Sequence, residues 1–343
     1  MRAAVYHGVR DVRLEDVPEP EAGPGQVKLR VTYNGVCGTD LHEIFDSQRG
    51  IPSSPHPLTG AHSPLILGHE IAGTVVDAGE GVDGFADGEL VTVEPMWRCG
   101  VCEWCLAGDF NLCERLAFHG MATDGGGLAE YTVLPAYTLH RVPAGMSPAD
   151  AAMAESLAVA DHAVVRSGAR PGQRTIVLGG GPIGIGAMFG LRRRGVEVVA
   201  VVEPSAERRA VLEQLGATTL DPAAGSLLEQ LDGRHVDITF ETAAAPASLR
   251  NALHVTKPQG LVMLVAAPRD PFPPVLNLAL IKELEIRASF AYRGEFPEVI
   301  DAIAAGTYQL DTWVTTQPMT ELHDAFDHLR AGERLKILID PTG

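Results

Sequence analysis

Cys37, His69 and Glu70 are the residues of this chain whose types could hold a reactive metal ion. A thiol, an imidazole and a carboxylate are donors that zinc takes when it keeps one position open for chemistry. His69 and Glu70 are adjacent in Leu67-Gly68-His69-Glu70, after a glycine that lets the backbone turn tightly. Cys37 lies thirty-two residues upstream and is followed by Gly38-Thr39-Asp40-Leu41-His42. Gly-His-Glu alone reads as a surface turn; the thiol and the motifs downstream shift the reading to a metal site. A second constellation is Cys99-Gly100-Val101-Cys102-Glu103-Trp104-Cys105, closed by Cys113. Two short Cys-x-x-Cys turns can wrap one cation and a fourth thiolate completes a tetrahedral shell, leaving no position for water. That is a structural zinc site, contributing folding free energy on the order of 10 kcal/mol. A redox Cys-x-x-Cys pair is the competing reading, and four thiols argue against it. A nucleic-acid-reading zinc ribbon is the other, and the chain's acidity disfavours it.

The third constellation is Gly179-Gly180-Gly181-Pro182-Ile183-Gly184, a G-x-G-x-x-G turn. It follows the apolar strand Thr175–Leu178 and opens a helix running to about Arg194; a second apolar strand, Val196–Val202, ends in Glu203. In that strand–turn–helix–strand–acid context the motif is a dinucleotide site, with pyrophosphate on the helix N-terminus. Glu203 can accept both ribose hydroxyls and repels a 2′-phosphate, which favours NAD over NADP. Arg208 and Arg209 nearby keep NADP as the lesser alternative. Val265, near the end of the strand Gly260–Ala266, and Ala267, just after it, are assigned to the cofactor with Gly179, Gly181, Pro182, Ile183 and Gly184.

The elements around these residues change character along the chain. Residues 1–35 read as short strands, with alternation at Val12–Val17 and Val27–Val31 and turns at Pro18, Pro20 and Gly23-Pro24-Gly25. Residues 43–63 are a Pro-rich loop in which His56 and His62 read as solvated. Strands follow at Ile71–Val76, Leu90–Val93, Ala129–Leu134 and Thr138–Val142. Ala149–Ser167 reads as one or two helices carrying Glu155 among apolar neighbours. A carboxylate there is expensive to bury unless paired or near a metal, and the alternative is an exposed helix face. From 175 the pattern is α/β, with strands at Val236–Glu241 and Gly260–Ala266, and a helix between them from Pro246. Two amphipathic helices, Phe296–Ala305 and Glu321–Ala331, and a strand Leu335–Ile339 end it.

Composition narrows the function classes. With 343 residues, 45% hydrophobic and 21% charged, the chain is long enough for two globular domains. A net charge of −17 disfavours nucleic acid and anionic membrane surfaces as partners. Four of five cysteines fall in residues 99–113, a metal pattern and not a secreted disulfide scaffold. No stretch is long and apolar enough to span a bilayer, and the start carries no signal-peptide run, so the expected location is cytoplasmic.

Together these residues resemble the zinc-dependent medium-chain dehydrogenase/reductase family. The stretch Gly68-His69-Glu70-x-x-Gly73-x₅-Gly79-x-x-Val82 is similar to its zinc signature, and the cysteine cluster and the Gly179–Gly184 turn follow in the family's order. Within the family the butanediol dehydrogenases are most similar, through Cys37–Glu43, His56-Pro57-Leu58-Thr59-Gly60, Val93-Glu94-Pro95, Asn111–Glu114 and Phe118-His119-Gly120. The resemblance implies a GroES-like β-rich catalytic domain at 1–157, with a structural zinc lobe at about 95–115. A Rossmann doubly wound parallel sheet would take 158–290, and residues 291–343 would return to the catalytic domain. It implies two zinc ions per chain, one catalytic and one structural, and NAD. Cys37, His69 and Glu70 would hold the catalytic zinc and Glu155 would be a fourth, exchangeable ligand. Thr39 and His42 would relay the proton. Lys336 is a candidate to meet the pyrophosphate charge, because Gly38 supplies none. The 43–64 loop, Phe118-His119 and Tyr292-Arg293 would line the substrate pocket.

The implied reaction is hydride transfer between NAD and a secondary alcohol or vicinal diol of the 2,3-butanediol/acetoin kind. A polyol or another secondary alcohol is the alternative, and a zinc-free reductase or a non-catalytic nucleotide-binding protein are the other classes. The implied partners are a small alcohol or ketone and further copies of the chain, as a homodimer or homotetramer. The chain departs from the family pattern at Glu155-Ser156 (usually Glu-Pro), at Gly88-Glu89-Leu90-Val91 (usually Gly-Asp-Arg-Val) and at Asp161 before His162 (commonly apolar). Ser156 and Asp161 are expected toward the substrate side.

Overall fold

The computed structural model describes residues 1–47, 50–266 and 276–343. Within these the chain divides into two units: Met1–Glu155 with Phe296–Ala305 and Val314–Gly343, and Ser156–Glu295 with Gly306–Trp313. The segment Gly306–Trp313, expected with the returning catalytic domain, belongs to the second unit, where Tyr308 packs edge-on against Phe189 at 5.8 Å.

In the first unit the alternation at Val27, Leu29 and Val31 becomes the strand Gln26–Gly35, with all three side chains fully buried. This strand is the hub of a mixed sheet. Its order is Leu139–Arg141, Leu90–Val93, Glu70–Ala78, Gln26–Gly35, Lys336–Asp340, Val314–Pro318, with Tyr131–Pro135 also paired to the hub. The register sets Gly35 opposite Glu70 on one side and Leu338 on the other. The strand ends that carry Glu70, Lys336 and the run into Cys37 therefore converge. A smaller antiparallel sheet joins Asp11–Asp16, Arg2–Gly8 and Leu65–Ile66. The short strands Met96–Trp97 and Ala117–Phe118 pair with each other and bracket the four-cysteine segment.

The second unit is built on a parallel sheet in the order Thr219–Leu220, Glu197–Val202, Arg174–Leu178, Val236–Glu241, Thr256–Leu264, Glu285–Ala288. Counted along the chain, that is the 3-2-1-4-5-6 order of a doubly wound dinucleotide fold, whose switch point lies beside the first strand. Arg174–Leu178 is that first strand, and Pro182–Arg193 is the helix after it. The alanine-rich stretch resolves into two helices, Pro148–Ala152 and Ala154–Ser167. Ser147 caps the first through a bond from the Asp150 N–H. Among the described residues no helix is long and apolar enough to cross a membrane.

Candidate active site

Cys37, His69 and Glu70 come together: a donor atom from each lies within 4.8 Å of the others. Cys37 is the N-cap of the helix Gly38–Phe45, and His69-Glu70 enters the strand Glu70–Ala78. Gly68 makes that entry possible. Its φ is +102°, and a Cβ there would stand 2.7 Å from the Leu128 backbone nitrogen.

Asp40, three residues after Cys37, organises the cluster. It is 1% exposed, its Oδ2 accepts the Cys37 backbone N–H at 2.9 Å, and its Oδ1 faces His69 Nδ1 at 3.5 Å. A carboxylate beside Nδ1 keeps a proton there, so Nε2 is the nitrogen that would give up its proton to a metal ion, the second-shell arrangement of a metal-binding histidine. Burial opposes a positive charge on His69, but Asp40 first and Cys37 next outweigh it and hold its pKa well above the ordinary imidazole value. Asp40 was visible in the sequence only as a member of the Cys37 stretch. The signal that finds it is an acid three positions after an N-cap, where it can reach back to the cap N–H.

Lys336 corrects an expectation. It is 2% exposed, forms an ion pair with Glu70 and donates to the Val36 carbonyl at 3.0 Å. Burial lowers its pKa, but Glu70 foremost and Cys37 next more than compensate, so it stays above the usual lysine value. It therefore neutralises a buried donor of the cluster and is not held for a pyrophosphate. Glu70 Oε1 is buried without a hydrogen-bond partner. An orphaned carboxylate oxygen beside a thiol and an oriented imidazole fits a borderline divalent cation such as zinc.

The remaining expected members fall at varied distances. Thr39 Oγ1 is 3.6 Å from Cys37 Sγ. His42 is half-exposed on the same helix, with Nδ1 2.9 Å from Asp46. Glu155, 5% exposed, stands outside the three-donor cluster and acts on Lys336 through its charge. His119 does not present a nitrogen to substrate. It is 1% exposed, Nε2 meets Thr132 Oγ1 at 2.7 Å and Nδ1 meets Thr123 Oγ1 at 3.1 Å. Burial first, and the His69 charge next, push its pKa down to about 3, so it is a neutral interior strut. Tyr292 is fully buried in the second unit.

The four cysteines close on one another, with all four sulfurs within 4.8 Å. Cys99 and Cys105 are 4.0 Å apart at Sγ. Zinc–sulfur bonds of ~2.3 Å in a tetrahedron put neighbouring sulfurs roughly 3.8 Å apart, and a disulfide is ~2 Å. Backbone N–H groups point at the sulfurs, Cys99 N to Cys113 at 3.3 Å and Cys102 N to Cys99 at 3.4 Å. The Val101 and Cys102 N–H groups lower the Cys99 pKa to about 6, whereas burial pushes Cys105 up to about 12. Four sulfurs this close can all be thiolates only with a cation among them to neutralise the charge.

In the second unit Gly179–Gly184 forms the expected turn. Gly181 is the N-cap of the helix that starts with Pro182, and a Cβ on it would meet nothing within 4 Å. A Cβ on Gly184 would stand 1.9 Å from the Gly179 carbonyl oxygen, so only glycine lets the helix pack on its strand. Ile183 lies in the first turn of that helix. Glu203 is 5% exposed, and its Oε2 accepts Gly180 N–H at 2.9 Å and its Oε1 accepts Ser205 N–H at 3.0 Å. Arg209 is engaged structurally, donating to the Glu203 and Pro204 carbonyls at 2.8 Å and pairing with Asp221 at 3.1 Å. Arg208 Nε is buried with no hydrogen-bond partner. Val265 N–H bonds the Glu241 carbonyl at 3.0 Å beside the turn, and Ala267 lies outside the described residues.

Asp161, expected toward substrate, instead binds within the second unit. Its carboxylate accepts from Arg193 at 2.7 Å and from Arg194 at 2.6 and 2.9 Å. Those arginines end the helix Pro182–Arg193, so Asp161 lies about 18 Å along it from the glycine turn.

The alcohol dehydrogenase GroES-like domain matches residues 23–144 and the zinc-binding dehydrogenase family matches 182–305. The chain is 34% identical to (R,R)-butanediol dehydrogenase of Bacillus subtilis (strain 168) over the whole of both chains. It is 30% identical to the sorbitol dehydrogenase of the same organism, over 100% of this chain and 98% of that one. The crystal structure of 2R,3R-butanediol dehydrogenase from Bacillus subtilis matches with a TM-score of 0.92 over 99% of each chain, at 34% identity. With both family models in place and relatives of this identity along its full length, the chain belongs to the zinc-dependent medium-chain dehydrogenase/reductase family, as an oxidoreductase of its alcohol and polyol dehydrogenases.

Proposed function

We propose that the protein oxidises a secondary alcohol with an adjacent hydroxyl or carbonyl, of the 2,3-butanediol/acetoin kind, with NAD as hydride acceptor. The observation that carries this is the convergence of Cys37, an oriented His69 and the orphaned oxygen of Glu70. The similarity to two butanediol dehydrogenases supports the substrate class. Cys37, His69 and Glu70 would hold a zinc ion, with Glu155 as an exchangeable fourth donor, and Cys99, Cys102, Cys105 and Cys113 a structural one. The ion supplies Lewis acidity that brings the pKa of an alcohol oxygen toward neutrality. NAD supplies the hydride acceptor, so the alcohol carbon loses a hydride and its oxygen a proton.

The chain's own residues do the positioning. Asp40 keeps the proton on His69 Nδ1, and Lys336 offsets the second negative charge of the donor set. Thr39 Oγ1, 3.6 Å from Cys37 Sγ, takes up the substrate proton. Asp46 engages His42 Nδ1, so Nε2 is the atom that receives the proton, and its partial exposure lets it pass to water. Gly181 and the helix N-terminus at Pro182 receive the pyrophosphate, and Glu203 the adenosine ribose. Glu203 disfavours a 2′-phosphate, while the unpaired Arg208 Nε is the observation that favours NADP as a second reading. Five free thiols fit a reducing compartment.

The test is steady-state formation of reduced cofactor from each 2,3-butanediol stereoisomer, with NAD and NADP in parallel and sorbitol and threonine beside them. NAD-dependent turnover of one butanediol isomer above the others is expected. Faster turnover of sorbitol replaces the diol by a polyol, and a higher kcat/KM with NADP overturns the cofactor assignment.

A further inference from the structure

We propose that the first unit carries a second ligand site, for a small organic anion, remote from the metal cluster. A pocket of about 230 Å³ opens between the turn at Arg10, the C-terminal end of the helix Gly38–Phe45 and the helix Leu322–Ala331. Its floor is apolar. Val12, Ile44 and Phe326 are buried members of one core cluster, and Phe45 packs against them. Its rim is formed by Arg10, His323 and Arg330, and the two arginines make it cationic. His323, Phe326 and Arg330 follow at i, i+3 and i+7, so one helix face supplies floor and rim together.

The rim cations lack the partners that surface cations usually find. The chain carries net charge −17, yet Asp11 and Asp46, next in sequence to the pocket residues Arg10 and Phe45, pair with other side chains. Asp11 accepts both Arg13 Nε and Nη2, at 2.7 and 2.6 Å, and Asp46 faces His42 at 2.9 Å. Among the described residues Arg10 has no acid partner, and Arg330 has only a loose contact of 3.7 Å with exposed Asp327. Such a contact is worth little.

Both arginines are nonetheless held in place. The Arg330 guanidinium lies 4.0 Å above the centroid of the Phe45 ring, a cation–π contact that keeps it at the wall. Arg10 has φ +62°, a left-handed conformation that residues with a Cβ avoid, and its N–H donates to the Ile44 carbonyl at 2.6 Å. That φ belongs to the two-residue turn Val9-Arg10 joining the paired strands Arg2–Gly8 and Asp11–Asp16, so the hairpin fixes the point from which the Arg10 side chain starts at the rim. Guanidinium forks match carboxylate geometry, and the apolar floor selects a compact hydrocarbon body. The ligand class is therefore an aromatic or branched carboxylate about the size of benzoate. The site sits at the far end of the helix that Cys37 caps, about 12 Å along its axis.

Fluorine NMR titration of the zinc-loaded protein with 4-fluorobenzoate tests this, with 4-fluorobenzamide as the uncharged isostere. Saturable benzoate binding is expected, weakened about tenfold or more by Arg10→Gly and by Arg330→Gln, with alcohol oxidation unchanged. Arg10→Gly removes the side chain at a position whose positive φ glycine adopts freely, and an unchanged melting temperature separates its loss of binding from misfolding. No saturable binding to the folded protein overturns the proposal, as does equal binding of the amide. Binding that survives both arginine variants but vanishes in Cys37→Ser places the anion on the metal, and overturns it too.

Discussion

Asp40 uses its two carboxylate oxygens on two different members of the metal cluster, the Cys37 backbone and the His69 ring. That double use makes it a sharp probe. In Asp40→Asn the amide oxygen can still accept the Cys37 N–H, but the amide nitrogen then faces Nδ1 of His69. Two donors repel, and the ring is driven to put its proton on Nε2, the atom needed for the metal. Asp40→Asn should weaken zinc at the three-donor site by about 10- to 100-fold while the four-cysteine site keeps its metal. Competition against a colorimetric chelator, read as two zinc ions per chain with separate affinities, measures it. Unchanged affinity at both sites would remove Asp40 from the assignment. The importance of Asp40, like that of Lys336, was hard to read from the sequence for a spatial reason. Local spacing brings Asp40 to Cys37, but only the folded sheet brings Lys336 to Glu70, across more than 260 positions of chain.

Helix pairing is where Asp161 acts. It lies on Ala154–Ser167 and binds the arginines that end Pro182–Arg193, with 1% side-chain exposure against 22% and 25% for its partners. Burial raises its pKa, but the Arg194 and Arg193 hydrogen bonds outweigh burial and hold it below the ordinary carboxylate value. A depressed folded-state pKa means that the stabilisation is fully present above the unfolded value of about 4 and is lost as pH falls through the lower folded value. Asp161→Asn should therefore cost about 2–4 kcal/mol at neutral pH, because two arginines lose their counter-charge. Urea midpoints of wild type and variant should converge as the solution is acidified, and a gap that stays constant to the acid limit would show that the charge is not the cause. The same scale shows which elements the sequence disclosed. Alternation located Gln26–Gly35, and the glycine turn between two apolar strands located the nucleotide unit, because both signals are local. Arg2–Gly8 falls in the stretch read as short strands, but no alternation set its bounds, because Ala3, Ala4, Val5 and Tyr6 are all buried and neither face alternates. Val314–Pro318 carries two threonines and a glutamine and has no fully buried residue, so it shows no apolar period at all.

The whole chain joins two metal-binding constellations with different demands, and this separates function from stability. The four-cysteine segment presents a closed donor set between the paired strands Met96–Trp97 and Ala117–Phe118. Its ends are tied down further by Arg98, which stacks 4.0 Å over Phe110 and 4.9 Å over Tyr137. Closing four thiolates around one ion ties metal affinity to the folding of that lobe. The Cys37–His69–Glu70 set is built differently. Its residues are held by sheet pairing, by Asp40 and by the Lys336 ion pair, contacts that need no metal ion to form. With three protein donors and an exchangeable fourth, it should release zinc sooner than the cysteine lobe, and its loss should leave the fold standing. A timed challenge with a chelator should abolish alcohol oxidation in a first phase, with one zinc released and the melting temperature shifted only by the ligand-binding term. A second, slower release should coincide with a large fall in melting temperature and with loss of the native near-ultraviolet signal. Zinc added back between the phases should restore turnover, whereas zinc added after the second should restore it only as far as the lobe refolds. If activity and thermal stability fell together in a single phase, the two sites would not have the separate roles that their geometry assigns them.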